Sequence, residues 1–262
     1  MFGIVPVQKV NHSKLEKSTL EPEIERFMQA GYKQFCPVAM ASEVLCTRWT
    51  IVLLRELVAG STRFNDLRRG VPRMSPALLS RRLKELEAAG VLERRAGKRG
   101  GGKGGQGHAE YHLTKAGQDL RGVVEAIGVW GQRWVEADLS LDNLDASLLM
   151  WDMRRSLNVD PLPDRRSVVE FHYEDQPSSR QSWWLIVEAD GHVDLCSVDP
   201  GFEVDLFATT DLRTMTSIWM GLSKVKAEQR AKRLHLEGDA AIAKHMQTWL
   251  GLSPFAVEKK KV

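Results

Sequence analysis

Cysteine is scarce in this chain: three residues in 262, Cys36, Cys46 and Cys196. An odd count without metal-ligand spacing argues against a disulfide framework and against a structural zinc site, so all three read as thiols. Long apolar runs are missing as well. No stretch of eighteen or more apolar residues occurs, which excludes a membrane-spanning helix by length. The opening "MFGIVPVQKVNHSK" has neither an apolar h-region nor a small-residue cleavage site, so no secretory signal is expected, and the expected location is cytoplasmic and nucleoid-associated. Catalytic constellations are absent too. His172, His192, His235 and His245 stand among predicted strands and helices without a nucleophile or metal partner at a recognised spacing, and no acidic pair is singled out. The expectation is no enzyme, no metal and no cofactor.

What is present is a globular composition, 43% hydrophobic and 27% charged, with a formal net charge of +3. The charge is unevenly placed. Residues 1–150 hold 22 Lys and Arg against 17 Asp and Glu, while 151–262 hold 15 against 17. Within 60–105 twelve basic side chains face four acidic ones, Asp66, Glu85, Glu87 and Glu93. An excess of that size is either a nucleic-acid footprint or a set of solvated helix faces.

The stretch "RAGKRGGGKGGQGHAEY" at 95–111 concentrates the ambiguity. Gly97 to Lys103 satisfies G-x-x-x-x-G-K, but Gly104 follows where a magnesium-binding Ser or Thr is needed. G-x-G-x-x-G also occurs, at 100–105 and 102–107, as so glycine-rich a segment produces by composition. A phosphate loop must lead into a helix N-terminus, whereas a strand is predicted next, so a nucleotide site is excluded. Two readings stay open: a solvated spacer, or a wing whose Lys98, Arg99 and Lys103 meet the DNA backbone. In the second, each phosphate neutralised steepens the salt dependence of log K by roughly 0.9.

Flanking patterns supply the organisation. "EPEIERFMQAGY" from Glu21 reads as a short helix, and "PVAMASEVLCTRWTIVLLRELVAG" as two helices broken near 47–49 and ended by Gly60. "STRFNDLRRGV" gives a third helix with Phe64 and Leu67 inward. After the tight connection "PRM", Ser75 as N-cap and Pro76 at the first helical position open a fourth helix that runs to about Ala89. Leu79, Leu83 and Leu86 form its buried stripe, leaving Ala77, Ser80, Arg81 and Lys84 outward. "VLERRA" and "AEYHLT" read as a hairpin around the glycine stretch, and Thr114 caps a long apolar helix over 114–136. Helix, helix, helix, recognition helix, hairpin, helix is the order of a winged helix-turn-helix.

Residues 36–134 resemble the HxlR family of bacterial transcriptional regulators. The resemblance is carried by "CPV" at Cys36, "RWTIVLLREL" at 48–57, "RFNDLRRGVPRMSPALLSRRLKELEAAGVLERR" at 63–95, "YHLTKAGQDL" at 111–120 and "WGQRW" at 130–134. One departure is the longer glycine and lysine insert where family members usually carry a short proline-containing tip. A second resemblance covers about 145–252, carried by "DGHVDLCSVDP", "VDLFATTDLRTMTSIWMG" and "LHLEGD". It is to the sterol-carrier-protein type 2 fold, a five-stranded sheet covered by helices around an apolar cavity.

The expected fold class is therefore α+β: an arm and short helix over 1–35, a winged helix-turn-helix domain over 36–137 with its dimerisation helix at 114–136, and a small α+β domain over 138–262 that binds an apolar ligand or braces a dimer. Position in the helix-turn-helix makes Ser75, Pro76, Ala77, Leu78 and Arg81 candidates for the DNA groove, with Arg81 able to pair with guanine, and Arg73, Arg82 and Lys84 candidates for phosphates. The competing reading for Arg81 and Arg82 is an ordinary ion pair with Glu85 or Glu87. Ile127, Trp130 and Trp134 either cap their own domain or form the interface of a homodimer, which a two-fold operator in double-stranded DNA favours. Cys36 falls where the family carries a thiol that in some relatives senses electrophiles or oxidants; packing is the alternative. The second resemblance implies a pocket bordered by Met215, Ile218, Trp219, Met246 and Trp249 for a fatty acyl or other apolar effector. The expected function is a homodimeric DNA-binding regulator controlled by such an effector, with no membrane partner; the alternatives are redox sensing through Cys36, or a lipid carrier whose winged helix domain serves association.

Overall fold

A computed structural model of the chain describes residues 31–97, 109–136 and 141–262. The predicted helix from Glu21 falls almost wholly outside them, as do Lys98, Arg99 and Lys103. By contacts the chain divides between Arg48 and Trp49. In the first unit, α1 (Pro37–Leu45) starts at Pro37 with Cys36 as its N-cap, and Glu43 Oε1 accepts a 2.8 Å hydrogen bond from the Tyr32 backbone N–H. None of its nine residues is buried.

The second unit, 49–262, begins at Trp49, whose φ of 78° is left-handed backbone at the break expected from sequence. It carries α2 (Thr50–Val58), α3 (Phe64–Gly70) and α4 (Pro76–Ala88). Ser75 caps α4 by accepting from the Leu78 N–H at 3.3 Å, and Leu79, Leu83 and Leu86 are buried, as the periodicity predicts. Strands β1 (Leu92–Ala96) and β2 (Ala109–Leu113) pair antiparallel, with Arg94 opposite Tyr111. Thr114 caps the next helix through the Gly117 N–H. The long helix expected over 114–136 is two helices, α5 (Lys115–Asp119) and α6 (Arg121–Trp134), meeting at Leu120, whose N–H donates to the Gly117 carbonyl at 3.2 Å in a tighter, i→i−3 turn.

Beyond 141 come α7 (Ala146–Ser156) and a five-stranded sheet of β3 (Ser167–Tyr173), β4 (Ser182–Val187), β5 (Val193–Cys196), β6 (Leu206–Thr210) and β7 (Leu234–Gly238) in the order β5-β4-β3-β6-β7. Only the β3–β6 pair is parallel. Helices α8 (Leu212–Trp219), α9 (Val225–Arg230), α10 (Ala240–Lys244) and α11 (Met246–Trp249) complete it. The last two of these are separated by His245 alone. Alternate residues of β3, Val169, Phe171 and Tyr173, join Met150, Met215, Ile218, Met246 and Trp249 in one apolar core.

A charged knot joins α2 to α7. Glu56 is completely buried; its carboxylate accepts 2.8 Å hydrogen bonds from both terminal nitrogens of Arg155, one of 2.5 Å from Arg55, and one of 3.2 Å from the Trp151 indole. Arg155 also pairs with buried Asp152, and Arg55 donates to the Gly70 carbonyl at 3.0 Å. Gly70 has to be glycine, because a Cβ there would overlap the Glu56 carboxylate. Burial pushes the Glu56 carboxyl up, but the Arg155 hydrogen bonds and the Arg55 and Arg155 charges outweigh it and hold it below the usual glutamate range. At Asp152 burial wins over the same arginines and leaves the carboxyl above its usual range. Removing one partner of a buried pair strands the other charge, so Arg155→Met should lower unfolding free energy by about 3 kcal/mol or more. Adding Glu56→Met should recover part of that loss in urea unfolding; a double variant no more stable than Arg155→Met would show that the two are uncoupled.

Candidate nucleic-acid interface

Two elements of the second unit present basic side chains beside one another in sequence, α4 with its preceding turn, and the hairpin. Burying the leucine stripe of α4 leaves Arg73, Ser75, Pro76, Ala77, Arg81 and Lys84 exposed, with Leu78 half-buried. Arg81 is 62% exposed yet its Nε donates to Glu85 Oε1 at 2.9 Å, and Arg82, only 12% exposed, pairs with the other oxygen of Glu85. The ion-pair alternative for both arginines is therefore present in the free protein. The Arg82 charge is turned onto its own helix. Lys84 makes no ion pair among the described residues and points away from the leucine stripe. Arg73 donates to Asn143 Oδ1 at 3.1 Å.

On the hairpin, Arg94 and Arg95 are exposed and Arg95 pairs with Glu93. Arg63, just before α3, sits 3.6 Å from Glu110 of β2 and ties the hairpin to the helix-turn-helix. Whether the insert acts as spacer or wing is a question about Lys98, Arg99 and Lys103, outside the described residues.

Helix α6 has two different faces. Val124, Gly128 and Gln132 turn inward: Gln132 Nε2 donates to the Met220 carbonyl at 3.3 Å, and Gly128 lies so close to the Phe255 ring that a Cβ would collide with it. Arg133 binds Glu258 at 2.6 Å, and the Lys261 backbone N–H donates to the Arg133 carbonyl, so the segment after α11 runs along this side. The other face leaves Val123, Ile127 and Trp130 exposed, with Trp130 at 62%, around a shallow apolar groove that includes Gly122 and Ala126. Trp134 is 46% exposed, with the Lys261 ammonium 5.4 Å from its ring centre.

The residues expected to border an apolar pocket lie in the core of the sheet and its helices. Met215, Ile218, Met246 and Trp249 have no solvent exposure, and the Trp249 ring stands edge-on to Phe171 at 6.5 Å. Trp249 Nε1 donates to the Ile242 carbonyl at 2.8 Å, and Trp219 packs at the margin of the same core. These side chains fill the space between sheet and helices, so a ligand there would have to displace packed core. Among the described residues no cluster of three His, Cys, Asp or Glu side chains is arranged to hold a metal, and no single helix is long and apolar enough to cross a membrane.

Sequence reasoning passed over Glu56, Trp151, Asp152 and Arg155. The signal for Glu56 is available in "LLRELV": it stands three residues after Leu53 and one before Leu57, on the buried stripe, where a carboxylate needs a partner.

Three helices, the last opening on a Ser-Pro cap beside a two-stranded hairpin, define a winged helix-turn-helix protein. Comparison with known proteins carries this to a family. Residues 44–139 match the HxlR-like helix-turn-helix family. The chain is 31% identical over 112 residues to the uncharacterized HTH-type transcriptional regulator YdeP of Bacillus subtilis strain 168, spanning 43% of this chain and 81% of YdeP. It is 32% identical over 104 residues to YvaP of the same organism, spanning 39% of this chain and 92% of YvaP. Among solved structures, the reduced form of the redox regulator HypR aligns at 30% identity and a TM-score of 0.33, covering 37% of this chain and 91% of HypR. Through residues 44–139 the chain belongs to the HxlR-like helix-turn-helix family. The family match ends there, and the sheet domain that follows is described by its own geometry.

Proposed function

We propose that the protein is a homodimeric, DNA-binding transcriptional regulator whose C-terminal domain braces the helix-turn-helix. The observation that carries it is the face of α4: with Leu79, Leu83 and Leu86 buried, Ala77, Arg81 and Lys84 remain outward behind a capped N-terminus, the end a helix-turn-helix presents to the major groove. Arg81 reads a base, and Arg73, Lys84 and the hairpin arginines hold the backbone. Dimerisation uses the outer face of α6, where Val123, Ile127 and Trp130 are large apolar groups left in water. The brace is the knot around Glu56, which supports the C-terminal domain as a structural partner; the packed core around Trp249 gives the effector and lipid-carrier readings no support.

A second reading, redox sensing, is favoured by one observation. The backbone N–H groups of Ala39 and Val38 at the start of α1 point at the Cys36 sulfur and hold the thiol below its ordinary range.

Three measurements test these assignments. On duplexes selected by the wild-type protein from a random pool, Arg81→Ala should lose about 1–3 kcal/mol of discrimination at one base pair while retaining sequence-independent binding; unchanged preference would remove Arg81 from the reading surface. Trp130→Glu should weaken self-association at least about 30-fold in sedimentation equilibrium, the loss of a central aromatic anchor; an unchanged dimer would place the interface elsewhere. Alkylation of Cys36 by iodoacetamide should accelerate with a midpoint below the ordinary thiol pKa and should alter DNA affinity; a midpoint at or above that value, or modification without effect on DNA binding, would reject the sensor.

A further inference from the structure

The junction between the helix-turn-helix and the C-terminal domain holds two cations on one aromatic ring. The Arg69 guanidinium, in the last turn of α3, lies 5.3 Å from the centre of the Trp151 ring, and that of Arg154, in the last turn of α7, lies 5.2 Å from it. Trp151 is itself fixed by its indole hydrogen bond to buried Glu56. The neighbouring acids are already committed: Glu56 to Arg155 and Arg55, Asp152 to the same two arginines. Arg154 therefore makes no ion pair among the described residues, and Arg69 has only a 3.7 Å approach to Asp66 while 60% exposed. The dipole of α7 favours a cation in its last turn, but does not require it to stack on a ring that carries a second one. Four residues after Arg69 comes Arg73, in the turn before α4, and its partner Asn143 belongs to the segment that leads into α7. Arg68, also exposed, has no acidic partner among the described residues.

Positive charge left uncompensated, pre-oriented by an aromatic face and adjacent to the turn of a helix-turn-helix, is the chemistry of a phosphate-backbone contact. We propose that the C-terminal domain supplies part of the DNA-binding surface: Arg154, stacked on the Trp151 ring that also carries Arg69, binds a phosphate of the duplex near the one met by the turn at Arg73. This rests on the DNA-binding function proposed above, and extends the contact surface beyond residues 44–139. The contact is sequence-independent, since a guanidinium on a phosphate carries no base information.

The test is the salt dependence of binding of the full chain to a mixed-sequence DNA duplex. Arg154→Gln should lower the slope of log K against log salt by about 0.9 and weaken binding about fivefold to tenfold at 0.1 M salt. Arg154→Lys should restore most of the slope, and the thermal midpoint of Arg154→Gln should fall by no more than the loss of one cation–π contact gives, since Arg154 makes no hydrogen bond or ion pair among the described residues. Arg69→Gln should reproduce the effect. A wild-type protein that binds no duplex overturns the proposed function and this inference with it. Wild-type binding with an unchanged slope in Arg154→Gln overturns this inference alone.

Discussion

The second unit is organised around a carboxylate that has no water. Glu56 faces the interior of α2, and a buried carboxylate is tolerable only with its oxygens filled by donors. Its donors are divided across the chain. Arg55 comes from the same helix, while Trp151 and Arg155 come from α7, almost a hundred residues later. The helix-turn-helix part of this unit thus leaves its own charge incomplete, and the part after residue 141 completes it. Gly70 follows from the same constraint, because the end of α3 must approach the carboxylate without a Cβ between them. One acidic side chain thereby fixes α2, the C-terminal end of α3 and α7 in register, two residues before the turn that leads to the recognition helix.

Helix α6 shows the complementary arrangement. Its inner side is consumed by the C-terminal segment: Phe255 against Gly128, Met220 under Gln132, Glu258 on Arg133. What remains outward is narrower than the apolar surface of the sequence suggests, and consists of Val123, Ile127 and Trp130 flanking the small residues Gly122 and Ala126. Large and small side chains alternating on one exposed helix face suit close packing against another helix more than they suit solvent. The C-terminal part of the chain therefore touches both α2, through Trp151 and Arg155, and α6, through Met220 and Glu258, and a brace in that position would stiffen the path between the proposed DNA contact and the proposed dimer face.

Much of this was legible locally. The Ser75-Pro76 cap, the leucine stripe of α4 and the hairpin flanks are written as spacing and turn residues, and the structure follows them closely. The failures concern what spacing cannot encode. Nothing local at Leu120 or His245 announces that a helical pattern is interrupted there. The apolar residues Met215, Ile218, Met246 and Trp249 read equally well as cavity walls or as core, because the same side chains serve both, and in the structure they pack together with Phe171 in one cluster. Glu56 could have been flagged from its position on the apolar stripe, but its partner Arg155 looks in sequence like any basic residue in the last turn of a helix, where cations are common for reasons of dipole alone.

Charge counting misleads for a related reason. Several basic side chains between 60 and 105 are internally neutralised in the free protein: Arg81 and Arg82 by Glu85, Arg95 by Glu93, Arg69 in part by Asp66. The field felt by a polyanion comes more from Arg68, Lys84, Arg94 and Arg154, none of which has an acidic partner among the described residues. The pairing does not disqualify Arg81. An exposed i, i+4 ion pair contributes about 0.3–0.5 kcal/mol, whereas a bidentate guanine contact is worth about 1–3 kcal/mol of discrimination. The exchange is favourable only where the right base is offered, since elsewhere the arginine returns to Glu85. For the base contact proposed for Arg81, Glu85 would thus hold the side chain in an extended, exposed position and compete with weak sites for it, so the pair that dilutes the apparent positive charge would also sharpen recognition.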